Sequence, residues 1–170
     1  MKIKYAILGS ALFLVVVPGT FAGVIPWLIS GWRFQAPLMA MPALRVVGGL
    51  MILAGAPALL DSFARFALLG RGTPAPPLPP DRLVVSGLYR VVRNPMYVSV
   101  LLLIFGQALM FGDGRLLIYG AIVAVAFHLF IVFYEEPSLV RRFGSPYERY
   151  RAHVRRWLPQ LPPWREDGKP

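Results

Sequence analysis

Long apolar stretches are the feature that most constrains how this chain folds. Hydrophobic residues make up 56% of its 170 residues, and a helix needs about 20 apolar residues to cross a bilayer core. Four stretches cross that core or nearly do so, namely residues 5–29, 43–69, 95–111 and 116–134. The pattern predicts a single-domain, all-α integral membrane protein with about four transmembrane helices.

The basic residues are distributed by side of the membrane. Eighteen Lys and Arg stand against 8 Asp and Glu, a formal net charge of +10. Most precede the first stretch, separate the second from the third or follow the fourth, and the remaining loops hold only Arg33, Arg45 and Arg115. The positive-inside rule therefore predicts that both termini are cytosolic. Because topology explains the charge, nucleic acid is not an expected partner.

The same rules predict the organisation along the chain. Residues 1–70 hold the first two spans, 71–94 a cytosolic linker and motif, 95–136 a helical hairpin, and 137–170 a cytosolic interfacial segment. Five prolines within residues 70–81 predict an extended strap. The arginine-rich end predicts an interfacial helix followed by a loose tail.

The N-terminal apolar run has two interpretations, a cleaved signal peptide or a retained first helix. The basic N-terminus and the apolar run after it resemble a signal peptide. However, the run continues through Trp27 and Leu28, and cleavage would break the even number of spans, so a retained first helix is favoured.

The chain contains no cysteine, which excludes disulfides, thiolate metal sites and cysteine nucleophiles. No metal site is expected.

The second span carries packing signals. Asp61 and Arg65 are four residues apart near its end, where a helical ion pair lowers the cost of both charges. That structural pairing is favoured over a catalytic role for Asp61. Small residues in the same span predict close helix contacts: Gly48, Gly49, Ala54, Gly55 and Ala58.

A first group of polar residues precedes the third span. Asn94 is followed by Pro95, which favours a helix start with Asn94 as its N-cap. Free backbone amides, the helix dipole, Arg90 and Arg93 then suit a carboxylate or phosphate. The alternative is ordinary capping beside arginines that only set the topology.

A second group lies at the end of the fourth span. Glu135 and Glu136 are adjacent carboxylates at a helix C-terminus, which repel each other and oppose the dipole. One interpretation is a ligand site. The other makes Glu136 the N-cap of a helix that starts at Pro137, with both acids neutralised by Arg93, Arg141 or Arg142. A short turn between the third and fourth spans predicts that the two groups meet, an arrangement that fits S-adenosylmethionine without singling it out.

Taken together, the motifs resemble a known family. They are Gly87-Leu88-Tyr89, Arg93-Asn94-Pro95-Met96-Tyr97, Glu135-Glu136, Phe143-Gly144, Tyr147, Tyr150 and Arg156-Trp157-Leu158-Pro159. In order and spacing, over about residues 80–160, they resemble the isoprenylcysteine carboxyl methyltransferase family, which is related to phospholipid N-methyltransferases. The resemblance implies a helical membrane methyltransferase with an S-adenosylmethionine pocket at the cytosolic surface and an opening to lipid for a lipophilic or prenylated substrate.

The resemblance also implies residue roles. The expected catalytic residues are Glu135, Glu136 and Arg93, and the expected cofactor-binding residues are Tyr89, Asn94, Pro95, Tyr97, Glu136, Tyr147 and Tyr150. In this hypothesis the carboxylate pair holds the positive part of S-adenosylmethionine, and Arg93 with the Asn94 helix start holds its carboxylate. Leu88, Asn94 and Ser99 replace the family's usual proline, histidine and glycine, and Asn94 cannot act as an acid or base.

Methyl transfer depends mainly on positioning and water exclusion. A carboxylate acceptor needs no base and is favoured, whereas an amine or thiol needs Glu135, Glu136 or a tyrosine as base. For His128, a structural hydrogen bond is favoured over a role in a substrate tunnel. The rival functions are an NADPH-dependent reductase of sterol-reductase type and a non-catalytic small membrane protein.

Overall fold

The computed structural model describes residues 3–69 and 83–165. Within those ranges every regular element is helical, which confirms the all-α prediction. The proline-rich strap predicted for residues 70–81 lies outside the described residues. The helices are α1 (Ile3–Gly19), α2 (Ile25–Ser30), α3 (Ala43–Leu69), α4 (Pro95–Phe111), α5 (Gly114–Phe130), α6 (Glu136–Phe143) and α7 (Ser145–His153).

Two π-turns extend helices past prolines. Thr20–Val24 joins α1 to α2, and Ile131–Glu135 joins α5 to α6. Each turn is followed two residues later by a proline, Pro26 or Pro137, which lacks the amide hydrogen that an α-helix needs. The wider π-turn accommodates this loss, and Glu136 N–H bonds to Ile131 O across the second turn. The last span therefore continues to Phe143, beyond the end at residue 134 predicted from sequence.

Three helical segments in the described part are long and apolar enough to cross a bilayer: Ile7–Ser30, Ala43–Leu69 and Gly114–Phe143. Apolar side chains on all three are exposed and suited to lipid, including Leu8, Leu53 and Ile118. These segments make the chain an integral membrane protein. Helix α4 is apolar but has 17 residues, about 25 Å at 1.5 Å per residue, and a core is about 30 Å thick. The predicted count of four complete spans is therefore not confirmed.

Helix α4 packs closely on α3. A Cβ atom added at Gly48 would lie 2.5 Å from the carbonyl oxygen of Gly106, and one at Gly55 would lie 3.1 Å from that of Ser99. Such close backbone approach is how small residues hold membrane helices together. The buried core around this contact contains Leu59, Phe63, Val100, Ile104 and Val123.

Polar side chains of α4 and α5 donate hydrogen bonds to backbone carbonyl oxygens of the first π-turn. The Gln107 side-chain amide donates to Ala22 O at 2.7 Å, and the Tyr119 hydroxyl donates to Phe21 O at 2.9 Å. Trp32 Nε1 donates to Gln107 Oε1 at 2.9 Å. An unpaired carbonyl is costly in lipid, so these bonds stabilise the irregular backbone there.

The α4–α5 hairpin positions the candidate site. Helix α4 ends at Gly112, whose φ of 75° is left-handed, and α5 begins after Asp113, which caps it by accepting from Arg115 N. This tight turn makes the two helices antiparallel neighbours. The start of α4 therefore lies beside the Ile131–Glu135 turn.

Candidate functional site

The site lies at the open end of the hairpin, where four chain segments converge. Arg93 and Tyr97 come from the start of α4 and the residues before it. Glu135 ends the π-turn that follows α5, and Glu136 begins α6. Helix α7 brings Tyr147 and Tyr150, and Arg156 belongs to the segment after α7. Hydrogen bonds and ring contacts connect these elements.

Glu136 is held between two arginines. It is 8% exposed, and its Oε1 accepts from Arg93 Nη1 at 3.1 Å and from Arg156 Nε at 2.7 Å. Arg156 Nη2 also donates to Oε2 at 2.9 Å, which completes a bidentate pair. The sequence interpretation named Arg93 as a neutralising partner but missed Arg156, although Arg156 opens the last of the resembling motifs. Glu136 is also the first helical residue of α6 rather than an N-cap.

Glu135 faces a different partner. The Tyr97 hydroxyl donates to Glu135 Oε2 at 2.6 Å, and the Tyr97 ring packs edge-on against Phe127, with centroids 4.8 Å apart. Adjacent helical residues point about 100° apart, so the two acids separate. Glu135 forms no ion pair with any residue that the structure describes, so of the two carboxyl groups it is the one without a cationic partner.

Asn94 occupies the N-cap position of α4, as predicted, but its side chain does not cap the helix. The amide instead donates from Nδ2 to the carbonyl oxygen of Arg156 at 3.2 Å. The side-chain capping bond expected from sequence is therefore wrong. The reason is that the segment after α7 passes close enough to compete as a hydrogen-bond partner.

Three buried tyrosines form the wall next to these charges. The Tyr150 hydroxyl donates to Tyr89 O at 2.7 Å, and the rings of Tyr147 and Tyr150 lie 6.1 Å apart. Burial raises the pKa of Tyr147 to about 12 and also raises the pKa of Tyr150 and Tyr89. All three remain neutral phenols at neutral pH, so we expect them to contribute ring packing, and in Tyr150 a hydrogen bond, rather than to act as bases.

The segment after α7 is ordered along the site. Arg93 N donates to Arg155 O at 2.8 Å, Gln160 N donates to Val91 O at 3.0 Å, and Trp164 N donates to Arg90 O at 2.8 Å. The loose tail expected from sequence is therefore wrong for residues 154–165. Backbone pairing with residues 90–93, which local sequence patterns do not reveal, holds this segment in place.

Two further predicted features have defined partners. Trp157 Nε1 donates to His128 Nδ1 at 3.2 Å, and their rings stack with centroids 6.2 Å apart. His128 thus makes a structural hydrogen bond, to the segment after α7. The predicted Asp61–Arg65 pair is also present, with Arg65 Nε 2.8 Å from Asp61 Oδ2.

The site offers complementary groups for a ligand with both charges. Arg93 Nε is buried and has no hydrogen-bond partner among the described residues, and Glu135 has no ion-pair partner there. Pro95 begins α4 beside Arg93, and buried aromatic rings enclose the charges. These features fit the carboxylate and the positive centre of S-adenosylmethionine.

Comparisons with known proteins identify the family to which the chain belongs. Residues 44–146 match the family model for phospholipid methyltransferase. A Schizosaccharomyces pombe protein-S-isoprenylcysteine O-methyltransferase is 32% identical over 80 residues, which are 47% of this chain and 34% of that enzyme. An uncharacterised Haemophilus influenzae protein is 35% identical over 63 residues, 37% of this chain and 100% of that protein.

No solved structure matches the chain significantly. The match to the S. pombe enzyme spans about a third of that enzyme's length. It confirms the family resemblance that the sequence motifs indicated. The family match covers more than half of the chain and contains Arg93, Tyr97, Glu135 and Glu136. The chain therefore belongs to the phospholipid methyltransferase family, whose members are membrane methyltransferases.

Proposed function

We propose that the chain transfers a methyl group from S-adenosylmethionine to a lipophilic, membrane-embedded acceptor, with carboxylate O-methylation as the favoured reaction. The observation that carries the proposal is that the two adjacent acids, Glu135 and Glu136, have different partners. Glu136 is neutralised by two arginines, whereas Glu135 accepts a hydrogen bond from Tyr97 and has no ion-pair partner among the described residues. A site of this kind binds a cationic centre next to an arginine-bound carboxylate.

When bound, S-adenosylmethionine supplies an activated methyl group on a sulfonium. In this proposal Glu135 holds the positive part, and Arg93 with the start of α4 holds the carboxylate. Tyr89, Tyr147 and Tyr150 exclude water from the pocket, and the Glu136 clamp fixes Arg93. A carboxylate acceptor suits this set because it needs no base, and Asn94, whose amide does not titrate, cannot act as one.

Binding measurements with matched isosteric variants test the proposal. Purified protein is titrated with S-adenosylmethionine, S-adenosylhomocysteine and NADPH, and then incubated with labelled methyl donor and a total lipid extract. Glu135→Gln should weaken S-adenosylmethionine binding by about tenfold to a hundredfold, because a charged hydrogen bond contributes about 1.5 to 3 kcal/mol. Glu148→Gln, on an exposed position of α7, should change it by less than about twofold.

Two results would contradict this function. Saturable NADPH binding without S-adenosyl binding would favour a reductase. Parent-like binding and turnover by a folded Glu135→Gln variant would make the carboxylate structural and misplace the site.

The proposed orientation places both termini in the cytosol, because the basic residues concentrate on that side. A reporter that works only in the cytosol should be active when fused to either terminus. A C-terminal reporter that is active only on the opposite side would move every proposed site residue across the membrane.

A further inference from the structure

An arginine-lined cavity lies beside the candidate site. Its volume is about 610 Å³, and the polar residues lining it include Arg93, Arg151, His153, Arg155, Arg156 and Gln160. The cavity is formed where the end of α7 and the segment after it pass the residue before Asn94. We refer to it as the arginine cavity.

Positive charge in the arginine cavity is far from balanced. Arg93 and Arg156 share the single carboxylate of Glu136. Arg151 and Arg155 also line the cavity, and neither forms an ion pair with a described residue. Several guanidinium groups thus face one carboxylate, which favours an anion with several oxygen atoms, such as a phosphate. The same excess disfavours the sulfonium of S-adenosylmethionine.

An apolar groove indicates the source of that anion. The groove has a volume of about 300 Å³ and is lined by Met51, Val98, Leu101, Leu102, Phe105 and Trp157. Its walls are the membrane helices α3 and α4, and Trp157 directly follows Arg156 of the arginine cavity. Because consecutive residues, Arg156 and Trp157, line the polar cavity and the groove, the pair suits an amphiphile with an anionic head and an apolar chain.

We propose that the arginine cavity binds the phosphate of an anionic phospholipid through Arg151 and Arg155, with an acyl chain along the Trp157 groove. The bound lipid neutralises the two unpaired arginines. It thereby ties the segment after α7, and the residues 90–93 paired with it, to the surface of the leaflet. Arg93 and Arg156 also line the cavity, but the proposed lipid contacts are to Arg151 and Arg155, to which the methyl-transfer proposal gives no role, and lipid binding does not require the methyl donor.

Lipid binding to the full-length protein tests the proposal. Protein in neutral detergent is titrated with phosphatidylglycerol or phosphatidylcholine in mixed micelles, without methyl donor, and bound lipid is counted by native mass spectrometry. The parent should retain one phosphatidylglycerol in preference to phosphatidylcholine. Arg151→Gln with Arg155→Gln should weaken phosphatidylglycerol binding by at least about tenfold, since each basic group near anionic lipid contributes about fivefold.

The matched control removes the same charge elsewhere. Arg141→Gln with Arg149→Gln changes two exposed arginines of α6 and α7 that do not line the cavity, and it should alter phosphatidylglycerol affinity by less than about threefold. An equal loss in both double variants would indicate general surface attraction and overturn the proposal. If the cavity double variant does not fold, Arg151→Gln and Arg155→Gln are measured singly, each with an expected loss of about fivefold.

Competition arms identify the ligand. Inorganic phosphate that displaces phosphatidylglycerol at equal concentration would make this a soluble-phosphate site. Displacement by S-adenosylhomocysteine would assign the cavity to the cofactor, and equal binding of phosphatidylcholine would remove the anionic preference. Each of these results overturns the proposal, and none depends on whether methyl transfer is observed.

Discussion

The two ends of the α4–α5 hairpin handle buried charge in opposite ways. At the turn end, Asp113 is 1% exposed and bonds to Arg115, two residues away, at 2.7 Å and to Gln35 at 2.8 Å. At the site end, Glu136 is 8% exposed and bonds to Arg93 and Arg156, which are 43 and 20 residues away.

The difference separates a cluster that is paired locally from the one that we propose binds a ligand. The turn end is balanced, because one carboxylate meets one guanidinium and the same aspartate caps α5. The site end has more arginines than neighbouring carboxylates, yet Glu135 remains without an ion pair among the described residues. Local pairing thus stabilises the turn, whereas long-range pairing joins separate segments and leaves charge available to ligands.

The largest effect on folding should come from Glu136→Gln. Removing one partner of a buried ion pair leaves arginines uncompensated, and with Arg156 partly exposed we expect a loss of about 2 to 3 kcal/mol. Thermal unfolding in neutral detergent measures it, with Glu135→Gln as the isosteric neighbour that should lose less. Equal losses would show that the two acids do not differ in role.

A second test addresses the α3–α4 contact close to the turn end. Gly48→Ala places a Cβ atom 2.5 Å from Gly106 O and 2.6 Å from Met110 N, so the helices must separate. We expect a loss of about 2 kcal/mol. Gly49→Ala is the matched control because no atom lies within 4 Å of its added Cβ. If both variants unfold at the parental temperature, close packing does not support the short helix.

Local patterns in the sequence predicted much of this hairpin. The bounds of α4, residues 95–111, coincide with those predicted, because Pro95 favours a helix start and Gly112 ends the helix in a left-handed conformation. The Asp61–Arg65 pair was also predictable, since its partners are one helical turn apart.

Long-range partners were not predictable in the same way. Arg156, the acceptor of Asn94 and the Trp157–His128 contact all depend on the path of the segment after α7, which hydrophobic periodicity does not specify. The charge pattern of that segment predicted a loose tail because each arginine alone favours water. Only the fold supplies Glu136 and the backbone of residues 90–93 as partners.

Acid should affect the turn end through Asp113. Hydrogen bonding to Arg115 lowers the pKa of Asp113, so its contribution to stability is complete above about pH 4 and is lost as the pH falls through the lowered pKa. Asp113→Asn keeps a capping side chain and should cost about 1 kcal/mol at neutral pH. The difference in unfolding temperature between parent and variant should shrink toward low pH, and a constant difference would contradict the ion-pair account.

The smallest effect is expected from Tyr97→Phe, which tests how far Glu135 depends on its neighbour. Phenylalanine keeps the ring packing against Phe127 and removes only the hydroxyl that donates to Glu135. The carboxyl group itself is unchanged, so S-adenosylmethionine binding should weaken by about threefold, well below the loss expected for Glu135→Gln. Calorimetric titration of both folded variants makes the comparison. A loss as large in Tyr97→Phe as in Glu135→Gln would mean that the tyrosine hydroxyl, rather than the unpaired carboxylate, is the group that recognises the cofactor.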